Sequence, residues 1–324
     1  MAMNVKSFGR KIKKIVKQDP IEGLYRCYKK KFLKYSFVDC ECQTAKQFEA
    51  SIIRLYHTIE KGLSYENYRA GFGKENIEKL IHSLEQYASN GFDISAFCYE
   101  TAISCLNEYV EKNKKNGLQD TELENRINSL PGKSNHLGGC TLVSAPSGEM
   151  QHYFEKVITS RHSIRHFSDK PVSIELIKRA IELAQFSPSA CNRQGWRTTI
   201  VSNKETMAAI LSNQNGNRGF GHEFDKLLII TSDLRAQQKS RELFQAFIDG
   251  GMYAENVLNA LFSLGIGSVP LSASLTLEQD AAIRQIAGID DAEIFILFIG
   301  VGNYPSKPVL TTRSERKPAN FTVI

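Results

Sequence analysis

Two runs in the second half of the chain, LLIITSD (residues 227–233) and IFILFIGVG (residues 294–302), place apolar side chains at consecutive positions. Successive side chains of a strand point to opposite faces. Strands of this kind therefore need cover on both sides, as in a sheet buried between helices. Neither run approaches the ~20 apolar residues of a membrane span. RTTIVSN (residues 197–203) adds a β-rich segment. Helical periodicity flanks the strands over residues 149–159 (Phe154, Val157, Ile158) and 171–186 (Ile174, Ile177, Ala180, Ile181, Ala184). A long helix is expected over 242–264, its pattern broken only by Gly250 and Gly251. Helices alternating with buried strands indicate an α/β or α+β sandwich with a central sheet.

The first part of the chain reads as all-helical. Phe8, Ile12, Ile15 and Val16 recur at helical spacing, and Asp19 with Pro20 makes an N-cap followed by proline in the first turn. Leu24, Tyr25, Tyr28 and Phe32 form the stripe of the next helix. Thr44 and Gln47 make a capping box ahead of Phe48, Ile52, Leu55, Tyr56 and Ile59. Further helices are expected over 74–88, closed by Asn90 and Gly91, and over 93–115. From 116 to 148 the composition turns to Gly, Ser, Asn and Pro, with one short helix near 122–130, as in a linker or draped loop. The expected division is 1–115 helical, 116–148 linker, 149–324 sheet domain.

Composition is that of an ordinary globular protein, with 42% hydrophobic and 23% charged residues. Seven cysteines, an odd number without zinc-ligand spacing, argue for reduced thiols and against a disulfide framework or metal site. No signal-peptide pattern opens the chain, so a cytoplasmic protein is expected. The net charge of +6 is concentrated between Lys6 and Lys34, opposed there only by Asp19 and Glu22. That segment reads as a solvated helical face, or as a weak contact with an acidic surface or membrane; no nucleic-acid partner is expected.

Five stretches carry chemistry. SRHSIRHFSDKPVS (residues 160–173) gathers Arg161, His162, Arg165 and His166 around Ser163, donors suited to a phosphate. FSPSACNRQGWRTTIV (residues 186–201) presents Asn192 and Gln194 on a turn, and their amides can read the edge of a heterocycle. In residues 249–275 a small-residue helix leads to Gly265 and Gly267 and then a loop through Pro270, Leu271 and Ser272. TTRSERKP adds Arg313, Arg316 and Lys317 near the C-terminus. HTIEKGLSYENYRAGFG (residues 57–73) puts His57 and Glu60 on one helix face ahead of a glycine turn, as a surface pair or a contact of unknown kind.

In this order and spacing, RHSIR, PSACNRQGW, the loop 265–272 and the terminal RSERKP resemble the nitroreductase family of flavin enzymes. The resemblance spans about 150 to 324. It implies an α+β sandwich with a mostly antiparallel sheet flanked by helices, and an obligate homodimer with FMN at the interface. By position, Arg161 and Ser163 would hold the phosphate and ribityl chain, with His162 contributing through its backbone. Arg165 would sit near N1 and O2 as an electrostatic stabiliser of reduced flavin. Pro188, Ser189, Asn192 and Gln194 would border the pyrimidine edge, and the backbone at Pro270, Leu271 and Ser272 would face the ring near N5. Arg316 would bind phosphate, with Arg313 as second cation. Residues 213–224 fall at the family's variable lid, so Asn215, Asn217, Arg218 and Phe220 would cover the substrate. Where many relatives read Gln-Pro-Trp, this chain has Gln194, Gly195 and Trp196, which is expected to loosen the turn.

The resemblance implies ping-pong transfer from NAD(P)H through flavin N5 to a small oxidised acceptor, a nitro compound, a quinone or another metabolite. No side chain is required as nucleophile or general acid. Two alternatives stand beside this: an oxygen-dependent or biosynthetic flavoenzyme of the same fold, and a non-catalytic scaffold tethered by its basic N-terminus.

Overall fold

The computed structural model describes residues 20–38, 40–145, 148–313 and 316–324. The expected first helix, Asp19 and the lysines up to Lys17 lie outside the described residues. Helix α1 (Pro20–Tyr35) begins at the expected proline. Its lysines are partly spent within the fold: Lys31 reaches Asp291 at 2.8 Å, and Lys34 lies 3.9 Å from the same carboxylate. These two lysines of the basic segment thus turn toward the fold rather than toward an external surface.

Helices α2 (Ala45–Leu63), α3 (Lys74–Ser89), α4 (Phe97–Lys115) and α5 (Thr121–Ser129) close around their own core of Ile52, Tyr56, Ile59, Leu80, Leu84, Tyr99, Leu106 and Ile127. The Thr44–Gln47 capping box forms and fixes the start of α2. Helix α4 starts at Phe97, later than the expected 93, because Asp93 instead accepts the Ser95 amide in a local turn. Residues 130–140 drape over α4. Gly139 is required there, since a Cβ at that position would lie 1.6 Å from Glu108 Oε2 and φ is +116°.

The second part contains α6 (Gly148–Ser160), α7 (Ile174–Ala184), β1 (Trp196–Val201), α8 (Lys204–Asn213), β2 (Lys226–Asp233), α9 (Gln245–Ser263), β3 (Ile266–Ser272), α10 (Leu277–Ala287) and β4 (Glu293–Asn303). The four strands pair antiparallel in the order β1-β2-β4-β3. Leu228, Ile230, Ile299 and Val301 face α7 and α9, while Leu227, Ile229 and Phe298 face α8 and α10. Both faces are buried, which is why these strands show no polar alternation.

The loop expected at 265–272 is a correction: residues 266–272 are the edge strand β3. Gly265 and Gly267 masked it, and Pro270 is tolerated because an edge strand has one unpaired side. The expected helix over 242–264 is likewise shortened to Gln245–Ser263, after a 3-10 turn at Ser240–Glu242. Among the described residues no helix is long and apolar enough to cross a membrane.

Candidate functional site

The segment that follows α6 runs along the free edge of β3. Ser163 bridges Ser268 in parallel, and the Ile164 amide donates to Ser268 O at 2.9 Å. The tail returns to the same place, where Thr311 Oγ1 donates to Ser163 O at 2.9 Å. Three of the four expected elements therefore share one sheet edge: 161–165 and the tail, through Thr311, meet beside Ser268, the third residue of β3. Arg161 Nη1 is buried there without a hydrogen-bond partner, a donor left for an anion. Arg165 is exposed, its guanidinium 5.6 Å from the Phe220 ring. His162 Nδ1 lies 2.8 Å from Ser160 O, so its ring is taken up locally.

The turn with Ser189, Asn192 and Gln194 lies at the same end of the sheet but at the opposite edge. Trp196 pairs with Ser232, Asp233 with Glu293, and Ser272 with Leu297, so the start of β1 and the end of β3 are separated by β2 and β4. At the usual strand spacing that is about 14 Å. Within one chain the two groups of expected site residues are thus held apart.

The turn is held in a costly backbone shape. Cys191, Asn192 and Gln194 have φ of +51°, +54° and +50°, left-handed values that non-glycine residues adopt at about 1 kcal/mol or more each. Buried polar groups hold it there. Asp249 on α9 accepts the Ala190 amide at 3.2 Å, and Ser189 Oγ accepts the Gln194 amide at 3.0 Å. Arg193 donates Nε to Ala190 O at 2.9 Å and Nη1 to Glu242 at 2.8 Å. Burial pushes the Asp249 carboxyl above its usual range, more than its partners restore. Sequence reasoning missed Arg193, Glu242 and Asp249; nothing local marks them, since their partners are 49 and 59 residues away.

Gly195 does not loosen the turn, which corrects the expectation. A Cβ there would lie 2.9 Å from Ala236 Cβ, and the Asp233 amide donates to Gly195 O at 2.7 Å. The glycine permits a close approach.

The lid residues divide. Asn215 ties the loop to the segment after β3, its Nδ2 donating to Ser274 O at 3.0 Å, and Asn217 is spent on the loop itself, its Nδ2 donating to Gln214 O at 2.7 Å. Arg218 is exposed, while Phe220 packs edge-on to Phe224 at 5.8 Å. His57 Nδ1 lies 3.3 Å from Glu60 Oε2, and Glu60 also accepts the Gly139 amide at 3.2 Å. Among the described residues no three His, Cys, Asp or Glu side chains converge as metal ligands.

The Nitroreductase family model matches residues 158–217 and 211–303, the span that contains 161–165, the Ser189–Gln194 turn and β3 but not the tail. Residues 158–303 of this chain are thus similar to the nitroreductase family. A protein of Archaeoglobus fulgidus, provisionally named NADH dehydrogenase/NAD(P)H nitroreductase, is 29% identical over 153 residues, 46% of this chain and 84% of its own length. The FMN reductase [NAD(P)H] of Bacillus subtilis is 27% identical over 132 residues, 36% of this chain and 53% of its own. An FMN-dependent nitroreductase of Clostridium difficile superposes with a TM-score of 0.45 at 17% identity, covering 52% of this chain and 99% of the other. The helical region before residue 158 lies outside the family match.

Proposed function

We propose that the protein is an FMN-dependent NAD(P)H oxidoreductase acting on a small oxidised acceptor, a nitro compound, a quinone or another metabolite. The carrying observation is Arg161 Nη1, buried and unpartnered beside Ser163 and the returning tail, where a phosphate would complete its bonding. The residues present fit the cofactor. Arg161, Ser163 and the backbone at His162 would hold the phosphate and ribityl chain, with Arg313 and Arg316 closing from the tail. The amides of Leu271 and Ser272 at the end of β3 would face the ring, and Arg165 would stabilise negative charge on its pyrimidine side. Bound FMN would supply the two-electron transfer between donor and acceptor.

The separation of the two groups supports a homodimer in which the Ser189, Asn192 and Gln194 turn of one subunit completes the site of the other. Helix α6 fits that reading: none of its residues is buried, and Met150, Tyr153 and Phe154 are each more than 60% exposed. Such an apolar face needs a surface to cover it.

The absorption spectrum of the purified protein tests the function, followed by anaerobic addition of NADH or NADPH. A flavin spectrum that bleaches is the expected result. A protein that stays colourless with added FMN overturns the reading.

A further inference from the structure

Helix α2 has two faces with different fates. Ile52, Leu55, Tyr56, Ile59 and Leu63 are buried in the helical core. On the other face Ala50 packs with Phe37 and Ala236, and the helix lies against Ala190–Asn192. Residues 50, 54, 57 and 61 follow one another at steps of three and four, so they share that face. Past Ala50 the stripe therefore reads Arg54, His57, Lys61, basic side chains that start beside the Asn192 turn at Arg54 and continue away from it along the helix.

Among the described residues His57 is paired with Glu60, whereas Arg54 and Lys61 have no ion pair of their own. Arg54 lies beside Cys191 and Arg193, half-buried, and its Nε has no hydrogen-bond partner. Arg193 spends its charge on Glu242. Glu60, next to the stripe, is occupied by His57 and the Gly139 amide, and Glu49, beside Ala50, by Lys46. Burial weakens Arg54's hold on its proton, and neighbouring Arg193 adds to this. Glu242, the carboxylate that acts on Arg54, is already paired with Arg193, so a partly desolvated guanidinium with no ion pair of its own gains from an anion supplied from outside.

We infer that Arg54, His57 and Lys61 form an anion-recognition wall of the substrate cleft, taking a carboxylate or phosphate of the molecule that stacks against the flavin. This rests on the flavin reading above. The planar fork of Arg54 matches either group. Lys61 stands two helical turns further on, about 10 Å along the axis, where it meets a more extended ligand. The wall belongs to the helical region outside the family match, and so gives that region a role in substrate choice.

Two sources of anion separate by experiment, the acceptor's own carboxylate and the phosphates of the nicotinamide donor. The flavin-loaded protein is assayed with 4-nitrobenzoate and with its neutral methyl ester, and anaerobic flavin reduction by NADH is timed separately. Arg54→Gln and the exposed Lys61→Gln should each lower kcat/KM for the acid relative to the ester by about tenfold, with Arg54→Lys recovering part of the loss. A tenfold loss confined to reduction by NADH supports the wall with donor phosphate as the anion. Equal losses for acid and ester, or no loss in any reaction, overturn the proposal. Equilibrium dialysis of benzoate, with flavin-free as well as loaded protein, reads the wall independently of catalysis. Salt-sensitive binding weakened by Lys61→Gln supports it even if no nicotinamide reduces the flavin, whereas benzoate bound alike by wild type and both Gln variants counts against it.

Discussion

Arg193 and Glu242, 49 residues apart, meet at 2.8 Å, with the Arg193 side chain only 2% exposed and Glu242 17%. The pair ties the turn before β1 to the 3-10 turn before α9, so the left-handed run at Cys191 and Asn192 depends on a contact between distant parts of the chain. Arg193→Met leaves the Glu242 carboxylate buried without its cation. It should cost about 3–5 kcal/mol, read as a lowered urea midpoint at unchanged slope.

The same pair sets an acid limit. Burial raises the Glu242 carboxyl, but the Arg193 guanidinium and the Gln238 and Lys239 amides outweigh it and hold it below the ordinary carboxylate range. A depressed folded-state pKa gives stability that is present above the unfolded value and lost as pH falls through the folded one. Thermal melts from neutral pH downward should show Glu242→Gln less sensitive to acid than wild type. Parallel loss in the two proteins would assign the acid limb to other carboxylates.

Gly195→Ala tests the close approach to Ala236. With 2.9 Å between the new Cβ and Ala236 Cβ, the strand start must shift, at a cost of about 1–3 kcal/mol. A variant as stable as wild type in chemical denaturation would show that the turn yields freely.

Arg161→Met removes the unpartnered donor at the β3 edge. FMN affinity should fall about 10–100-fold, the range of a hydrogen bond from a charged group. The single tryptophan, Trp196, stacks on Tyr253 at 4.9 Å next to the Gln194 turn and provides the readout. Its fluorescence should be quenched as FMN is titrated into flavin-free protein.

Phe154→Glu places a charge on the uncovered face of α6, where Phe154 is 64% exposed. Light scattering should show the wild type as a dimer and the variant as monomer, with FMN lost alongside. A monomeric variant that keeps its flavin would mean that one chain completes the site.

Much of this was legible beforehand, and the misses have specific causes. LLIITSD and IFILFIGVG gave away two strands because burial on both faces leaves a compositional trace. Strand β3 left none, since glycine and proline on an edge strand look like a loop. Asn192 and Gln194 could be singled out by residue type, but Arg193 between them reads as filler until Glu242 is placed beside it.

The sequence by itself determined the N-terminal helices from α1 onward and the buried strands, because periodicity, capping and composition act over a few neighbouring residues. Tertiary structure decided what those residues do together. It set segment 161–165 and the Asn192 turn at opposite edges of one sheet, brought Glu242 and Asp249 to the turn, and set Arg54 of α2 beside it. Contacts between residues 49 to 148 positions apart are fixed by how helices and strands cover one another, which no local pattern encodes.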